Sequence, residues 1–412
     1  MHNRRTGRAL VSTERSCISL FTGAGGLDYG FEAAGFNTSI AVEMDPWCCK
    51  TLRANRQWPI IEGRIEDITT GQILATGGLR KGEPDILIGG PPCQPFSKAG
   101  YWFTGDVKRL EDPRAQTLNE YIRVLGEALP KAFLIENVYG LAYEGKNEGL
   151  LYLKKAVDAI NKLQGVNYTF NWAVLNSADF GVPQIRERVF IVGSRDGIPF
   201  RFPSPRFISR VNSRTPGQSI GLFQDLETYR NTWDAIGDLA SPVAKGVPKS
   251  QIGGKWAELL PSIPPGENYL YHTNKGKGAP IFKWRSRYWS FLLKLHPELP
   301  SWTIQAQPGS SIGPFHWENR RLTMRELARI QTFPDDVNVL GGITQVQKQI
   351  GNAVPSAMAE VLAKEIRIQF FRDSLDSIDI QLVPKRRAEI PRVLWEKDVP
   401  NKYLPDNDDM SM

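Results

Sequence analysis

The sequence predicts an α/β protein: a doubly wound, mostly parallel sheet with crossover helices, joined to a second, smaller irregular domain. Three observations predict it. Short apolar runs alternate with helix-period patterns from residue 17 to residue 193, the signature of successive βα units. The polar motifs of that stretch (Gly23-Ala24-Gly25-Gly26, Cys93 and Glu136-Asn137) each follow an apolar run, and functional groups gather at strand C-terminal ends in such sheets. From about Arg201 the alternation stops and Pro, Gly and Ser become frequent.

Residues 1–15 are polar and basic and are expected to form a disordered arm. They contain no apolar signal core, so export is not expected. Residues 17–21 read as a strand running into the glycine turn, then a helix with Leu27, Phe31 and Ala34 on one face, stopped at Gly35. Residues 38–42 form a second strand ending at Glu43-Met44-Asp45, and Pro46 opens a helix as its first residue. Residues 61–68 are mixed, and the Gly/Thr-rich run to Gly82 reads as loop. Residues 85–88 are a buried strand delivering a Gly-Gly-Pro-Pro turn and Cys93. A helix fits 115–129, with Leu118, Ile122, Leu125 and Leu129 on one side. Strand 131–135, helix 150–163 and strands 168–175 and 189–193 complete a catalytic domain over 16–200.

The small domain is expected over 201–341. Helical regularity returns at 321–331, where Thr323 and Glu326 have capping-box spacing. Residues 342–372 rejoin the first domain through an amphipathic helix carrying Met358, Val361, Leu362 and Ile366. Residues 373–412 read as a polar tail with a disordered end.

Composition narrows the function. No apolar run approaches the roughly 18 residues of a membrane span. Four cysteines (Cys17, Cys48, Cys49, Cys93) lack Cys-x-x-Cys spacing, so neither zinc nor a disulfide framework is suggested, and a reducing cytoplasm is expected. The net charge of +7 is concentrated: residues 201–320 hold 15 Lys and Arg against 8 Asp and Glu. Six of the 11 tryptophans fall in the same stretch. Basic charge with aromatic rings suits a polyanion with stackable bases; a basic surface over a Trp-rich core would read the same.

The motifs carry the chemistry. The glycine turn lets backbone approach a ligand, and Glu43 at the next strand end can bind ribose hydroxyls. The dinucleotide spacing Gly-x-Gly-x-x-Gly is absent, since Asp28 takes the last position; an adenosine ligand without pyrophosphate fits, as does a plain tight turn. Cys93 is either a small residue in a rigid turn or an exposed thiolate nucleophile. A thiol hydrolase would need a positioning histidine, and His2, His272, His296 and His316 all lie outside the regular domain. Glu136 ends an apolar strand, where a carboxyl group can be held protonated, or can cap the next helix. In Gln184-Ile185-Arg186-Glu187-Arg188 the two arginines share a side if extended, and can hold a carboxylate, a carbonyl oxygen or phosphates.

In this order the motifs resemble the DNA (cytosine-5)-methyltransferases. The match runs through Phe21-Thr22-Gly23-Ala24-Gly25-Gly26-Leu27, Glu43-Met44-Asp45 and Gly89-Gly90-Pro91-Pro92-Cys93-Gln94-Pro95-Phe96-Ser97. It continues in Glu136-Asn137-Val138, Gln184-x-Arg186-x-Arg188, Arg325-Glu326-x-Ala328-Arg329-x-Gln331 and Gln349-x-Gly351-Asn352-Ala353. The resemblance implies a Rossmann-like, S-adenosyl-L-methionine-dependent fold. It implies Cys93 as nucleophile at cytosine C6, Glu136 at N3, Arg188 at O2 and Arg186 in support. Phe21, Gly23, Ala24, Gly25, Gly26, Leu27, Glu43, Met44, Asp67, Ile68, Pro91, Leu118, Asn352 and Ala353 would form the cofactor pocket. Ser97, Asn137 and Gln184 would lie on the substrate side, and the loop from Ser97 to Tyr101, with Gly100 and Gly105, would close over a flipped base.

The implied partner is double-stranded DNA, with residues 201–320 as target-recognition region and Lys283, Trp284, Arg285, Arg287 and Gln305 as contact candidates. A bacterial or phage restriction–modification enzyme is expected: monomeric, not membrane-bound, and not stably complexed with its cognate endonuclease. A tRNA cytosine methyltransferase is one alternative; the roughly 130 residues between Arg188 and Arg321 favour DNA. A catalytically silent DNA-binding regulator is the other, and the intact Cys93, Glu136 and Arg188 set argues against it.

Overall fold

The computed structural model describes residues 14–92, 116–138, 148–209, 226–239, 252–285, 288–307, 309–375 and 379–404. The centre is a seven-stranded sheet. Its strands in chain order are β1 (Arg15–Leu20), β2 (Phe36–Glu43), β3 (Ile60–Glu62), β4 (Ile86–Gly89), β5 (Ala132–Asn137), β6 (Thr169–Asn176) and, after a two-residue β7 (Gln184–Ile185) outside the sheet, β8 (Glu187–Ser194). The spatial order is β3-β2-β1-β4-β5-β8-β6. Pairing is parallel from β3 to β5, and β8 lies antiparallel to both β5 and β6. The order reverses between β1 and β4, so the crevice of the doubly wound sheet opens beyond their C-terminal ends.

Alternation along the strands divides the core. Ile18, Leu87, Phe133, Ile135, Val189 and Ile191 face one layer, while Cys17, Ile86, Ile88, Leu134, Phe190 and Val192 face the other. Strands buried on both faces read as continuous apolar runs. The first layer is covered by α3 (Thr70–Thr76), α4 (Gln116–Ala128) and α5 (Glu148–Gln164). The second is covered by α1 (Gly26–Ala33) and α9 (Ser356–Phe371), a helix from the far end of the chain that is buried almost all round rather than on one face. Between β2 and β3 runs α2 (Pro46–Asn55), with Pro46 in its first turn and Asp45 capping it through the backbone N–H of Trp47.

Residues 201–320 hold few regular elements among those described: the pair β9 (Phe207–Ile208) and β10 (Glu227–Thr228), a short α6 (Thr232–Ile236), and β11 (Ser301–Trp302), which pairs with β7. Next come α7 (Met324–Ile330) and α8 (Ile343–Asn352). A third apolar cluster joins Ala24 and Tyr29 of the first domain to Ile236, Ile304, Trp317, Leu327 and Ile350.

Three expectations are corrected. The run before Gly82 is not all loop: α3 forms there, started by a capping box between Thr69 and Gln72. Residues 343–352 form a helix where no helix was expected. The tail read as polar packs apolar residues over 379–404: Ile380, Leu382 and Val383 lie on the layer of α1 and α9, Gln381 and Leu382 donate backbone N–H groups to Glu360, and Tyr403 is buried on Trp256. No helix among the described residues is long and apolar enough to cross a membrane.

Candidate active site

The C-terminal ends of β1 and β2 form one half of the site. Phe21 leaves β1 with φ of 54°, and Gly23 and Gly25 have φ of 58° and 87°, so the turn needs residues that tolerate left-handed backbone. The carboxylate of Glu43 is buried and accepts three backbone N–H groups: Gly23 on Oε2 at 2.7 Å, Met44 and Asp45 on Oε1 at 2.8 and 2.7 Å. Burial pushes its pKa up, and the same three bonds oppose the rise. Oε1 is thereby saturated, while Oε2 keeps one lone pair for a ligand hydroxyl.

The glycines divide in purpose. A Cβ on Gly23 would meet nothing within 4 Å, so that side of the turn is open. A Cβ on Gly26 would sit 2.4 Å from the Val354 carbonyl oxygen and 2.9 Å from the Ala353 side chain. Gly26, Leu27 and Ala353 are thus in the seam between α1 and the segment entering α9, against protein. Ala24 is buried in the apolar cluster shared with the small domain. Met44 and Asn352 are exposed. Asp67 is exposed in a 3-10 turn over Ile65–Asp67, Ile68 and Leu118 are buried beside it, and half-buried Phe21 packs on that same cluster.

The other half lies at the ends of β4, β5 and β8. The register sets Glu136 opposite Phe190 and Asn137 opposite Val189. Glu136 is buried, and Arg188 Nε lies 3.0 Å from its Oε1. Burial raises the Glu136 pKa, against the pull of Arg188 and Arg186. A Cβ on Gly90 would stand 3.0 Å from Glu136 Oε2, so glycine there lets the chain leaving β4 pass beside the carboxyl group. That chain is pinned twice: Asn137 Nδ2 donates to the Pro91 carbonyl at 3.1 Å, and Thr117 Oγ1 to the Pro92 carbonyl at 2.9 Å. Cys93 follows Pro92 directly. It lies outside the described residues, as do Ser97, the loop through Tyr101 to Gly105, and Arg287.

Arg186 and Gln184 serve a joint behind the acid. Arg186 is buried and donates through Nη2 to the carbonyls of Gly351 and Ala353 at 2.9 and 3.0 Å. Burial and the neighbouring Arg188 push its pKa down to about 9. Gln331, which ends α7, donates to the same Ala353 carbonyl at 2.5 Å, and Gln184 donates to Gln331 while accepting from the backbone of Ile304. Gln184 is fully buried, so its amide faces this joint and not a substrate. Sequence reasoning missed the joint because its partners lie far apart in the chain. Of the proposed DNA contacts, Lys283, Trp284, Arg285 and Gln305 are exposed. Exposed Trp289 and Trp302 meet edge to face at 5.2 Å. Among the described residues no cluster suited to a metal ion occurs.

A seven-stranded sheet of this order, with a glycine turn and a carboxylate at the first two strand ends and an acid–arginine pair further along, defines a Rossmann-like methyltransferase fold. The sequence model of the C-5 cytosine-specific DNA methylases matches residues 15–367. The chain belongs to that family and is a DNA cytosine-5 methyltransferase. It is similar to the type II methyltransferase M.SacI of Streptomyces achromogenes, 38% identical over 382 residues covering 87% of this chain and 94% of the relative. The type II methyltransferase M.AquIA of Picosynechococcus is 47% identical over 232 residues, 55% of this chain and 89% of its own length. Among solved structures, a DNA modification methyltransferase encoded within an E. coli prophage superposes with a TM-score of 0.57 at 24% identity, covering 87% of this chain and all of the other. The Dnmt2 methyltransferase of S. pombe gives 0.51 at 16%, covering 86% and 99%. These two likenesses bear on the fold alone.

Proposed function

We propose that the chain methylates C5 of a flipped-out cytosine in a specific double-stranded DNA sequence through a covalent adduct between Cys93 and C6, protecting that sequence from a cognate restriction endonuclease. The observation that carries the reading is the buried Glu136, held at 3.0 Å by Arg188 and passed closely by Gly90, three residues before Cys93. A strand end that keeps a carboxyl group buried beside the anchored Pro91-Pro92 turn is what protonation of a ring nitrogen requires.

S-adenosyl-L-methionine, when bound, supplies an electrophilic methyl group. The residues fit it: Glu43 retains acceptor capacity toward ribose hydroxyls, Gly23 leaves open space, Phe21 offers a ring edge for adenine, and exposed Asp67 can accept from its amino group. Pro91, held at the end of β4 by Asn137, is assigned to the cofactor side by the family resemblance.

Cytosine C5 is a poor nucleophile. Addition of the Cys93 thiolate to C6 moves the ring electrons toward N3, where Glu136 gives its proton. Arg188 holds Glu136 and is placed to hold O2; Arg186 keeps the strand end in position through Gly351 and Ala353. The enamine formed carries its electron density at C5, the atom that takes the methyl group. Loss of the C5 proton to a base, then elimination of the thiolate with return of the N3 proton to Glu136, restores the aromatic ring and frees Cys93. The target atoms are inaccessible within a duplex, so the base must leave the stack.

The test is transfer of a labelled methyl group into duplex DNA by the full chain. Cys93→Ser should abolish it while DNA binding stays within about tenfold, near 1.4 kcal/mol. Absence of label in any cytosine-containing DNA would sink the enzyme reading, and sustained turnover by Cys93→Ser would remove the covalent step. Sequencing of modified host DNA then reads the target site.

A further inference from the structure

Residues 379–404 lie beyond the last helix of the family match, and their contacts fall into three groups. At the first, buried Glu360 of α9 accepts the backbone N–H groups of Gln381 and Leu382 at 2.8 and 2.9 Å. Val383 presses on Gly181, where a Cβ would stand 2.8 Å from its side chain. This anchor is on the catalytic domain. At the second, Arg386 Nη1 donates to the Tyr229 carbonyl at 2.8 Å and to buried Asp234 at 2.9 Å. Arg387 donates its backbone N–H to Asp234 at 3.0 Å and pairs with Asp238 at 2.9 Å. At the third, Tyr403 stacks on Trp256 with ring centroids 5.4 Å apart and donates to the Lys255 carbonyl at 2.6 Å. The second and third anchors are on the small domain.

We propose that this segment is a strap whose Arg386 and Arg387 are positioning residues for the methyl-transfer reaction: they fix the small domain relative to the catalytic domain, and so set where bound DNA presents its target base. The inference rests on the reading of the chain as a DNA cytosine methyltransferase. Its physical ground is the difference in what each anchor holds. Asp238 is shared, pairing with Arg387 and also with Arg329 of α7 at 2.6 and 2.7 Å. α7 ends in Gln331, which holds the Ala353 carbonyl together with Arg186. The middle of the strap therefore grips the small-domain helix α6 directly and reaches, through Asp238, the helix that is tied into the joint behind Glu136. The cofactor cleft, at the ends of β1 and β2, makes no contact with it among the described bonds. Loosening the strap should disturb the use of DNA and leave cofactor binding alone.

The experiment uses the full chain carrying Arg386→Ala and Arg387→Ala together. Four quantities are measured: the KM for duplex DNA, kcat, the ratio of rates on the cognate site and on a one-base variant of it, and the Kd for S-adenosyl-L-methionine. The expected result is a KM for DNA raised about tenfold or more, with a lowered site ratio and a cofactor Kd within about twofold of the parent. Arg387→Lys, which keeps the charge opposite Asp238, should stay within about threefold of the parent KM. A double variant matching the parent in both KM and site ratio overturns the proposal. So does one whose cofactor Kd weakens in step with its KM, because the strap would then support the fold in general. Failure of the underlying reading is separate: the parent chain itself would transfer no methyl group to DNA.

Discussion

Replacing Glu136 by glutamine keeps the shape of the side chain and removes its proton and its charge. Two losses follow from the geometry. The first is catalytic: an acid that protonates the ring as the thiolate adds contributes typically about 10²- to 10⁴-fold, or roughly 3–5 kcal/mol of barrier. The second is local. The bond from Arg188 at 3.0 Å is charge-assisted, and such bonds are about twice as strong as neutral ones. Glutamine keeps an acceptor for Arg188 but no longer supplies the negative charge that offsets Arg188 and the buried Arg186, with Arg186 already depressed to about 9 by burial and that neighbour. Breaking a buried pair costs about 3–5 kcal/mol; Arg188 is partly solvated, which lowers this to roughly 1–3 kcal/mol. Cofactor binding should be spared, since β5 lies two strands from β1 in the sheet, about 10 Å at normal strand spacing. The assay is single-turnover methyl transfer at saturating DNA and cofactor, with cofactor affinity measured separately. A rate within about threefold of the parent would refute the N3 role.

Further outcomes follow from other packed sites. Gly30→Ala should destabilise: helix propensity favours alanine by about 1 kcal/mol, but its Cβ would stand 2.3 Å from the Ser356 carbonyl oxygen and 2.6 Å from the Glu360 nitrogen. Urea unfolding should show a net loss of about 1–2 kcal/mol; a gain would show that α1 and α9 can part freely. Asp28 is fully buried and its pKa is raised by burial to about 7. The folded state thus binds the extra proton, so stability is full near pH 4 and falls as pH rises to about 7. Asp28→Asn should flatten that slope and stabilise by roughly 2–4 kcal/mol at pH 8; an unchanged pH profile would contradict the burial of a titrating carboxyl group. Glu326→Gln breaks the two-pronged pair with Arg320 at 2.7 and 2.8 Å around a fully buried carboxylate. His316, depressed to about 2 by burial and Arg320, stays neutral, so unfolding should show a loss of about 2–4 kcal/mol.

The sheet was legible because its central strands are buried on both faces and read as unbroken apolar runs, and because Pro46 and Gly35 mark helix boundaries. α3 escaped notice because Gly71 and Gly77 dilute its pattern; the signal was the Thr69-x-x-Gln72 spacing, which forms the capping box. α8 carries Val346 and Ile350 on its buried side, but its glutamines hide that face. The strap left no local signal. Its apolar residues (Ile380, Leu382, Val383, Val393, Val399 and Tyr403) are scattered among charges and prolines without helix or strand period, and its partners Asp234 and Trp256 lie far away in sequence. Glu136, Arg188, Glu43 and the glycine turn were legible as a set because Glu43 and Glu136 end strands, the glycine turn follows one and Arg188 stands at the start of one. That Gly26 meets protein while Gly23 faces open space is decided by Ala353 and Val354 in the segment entering α9, more than 300 residues away in sequence.

The joint at Ala353 explains why three separated motifs occur together. One carbonyl oxygen has two lone pairs, and here Arg186 and Gln331 fill both. Gly351 adds a steric condition, because a Cβ there would sit 2.6 Å from the Ala306 backbone. Remove any member and the others lose a buried partner, which costs more than the bond itself contributes. Arg186 thus commits Nη2 to the fold, while its buried Nε and Nη1 keep their hydrogens free of protein partners among the described residues. Held by two carbonyls of the segment that enters α9, it fixes the start of β8, and the residue two positions on is Arg188. The side chain that touches the acid is aimed by one that does not, and the charge facing Glu136 depends on an amide, a glycine and a carbonyl drawn from the other end of the chain.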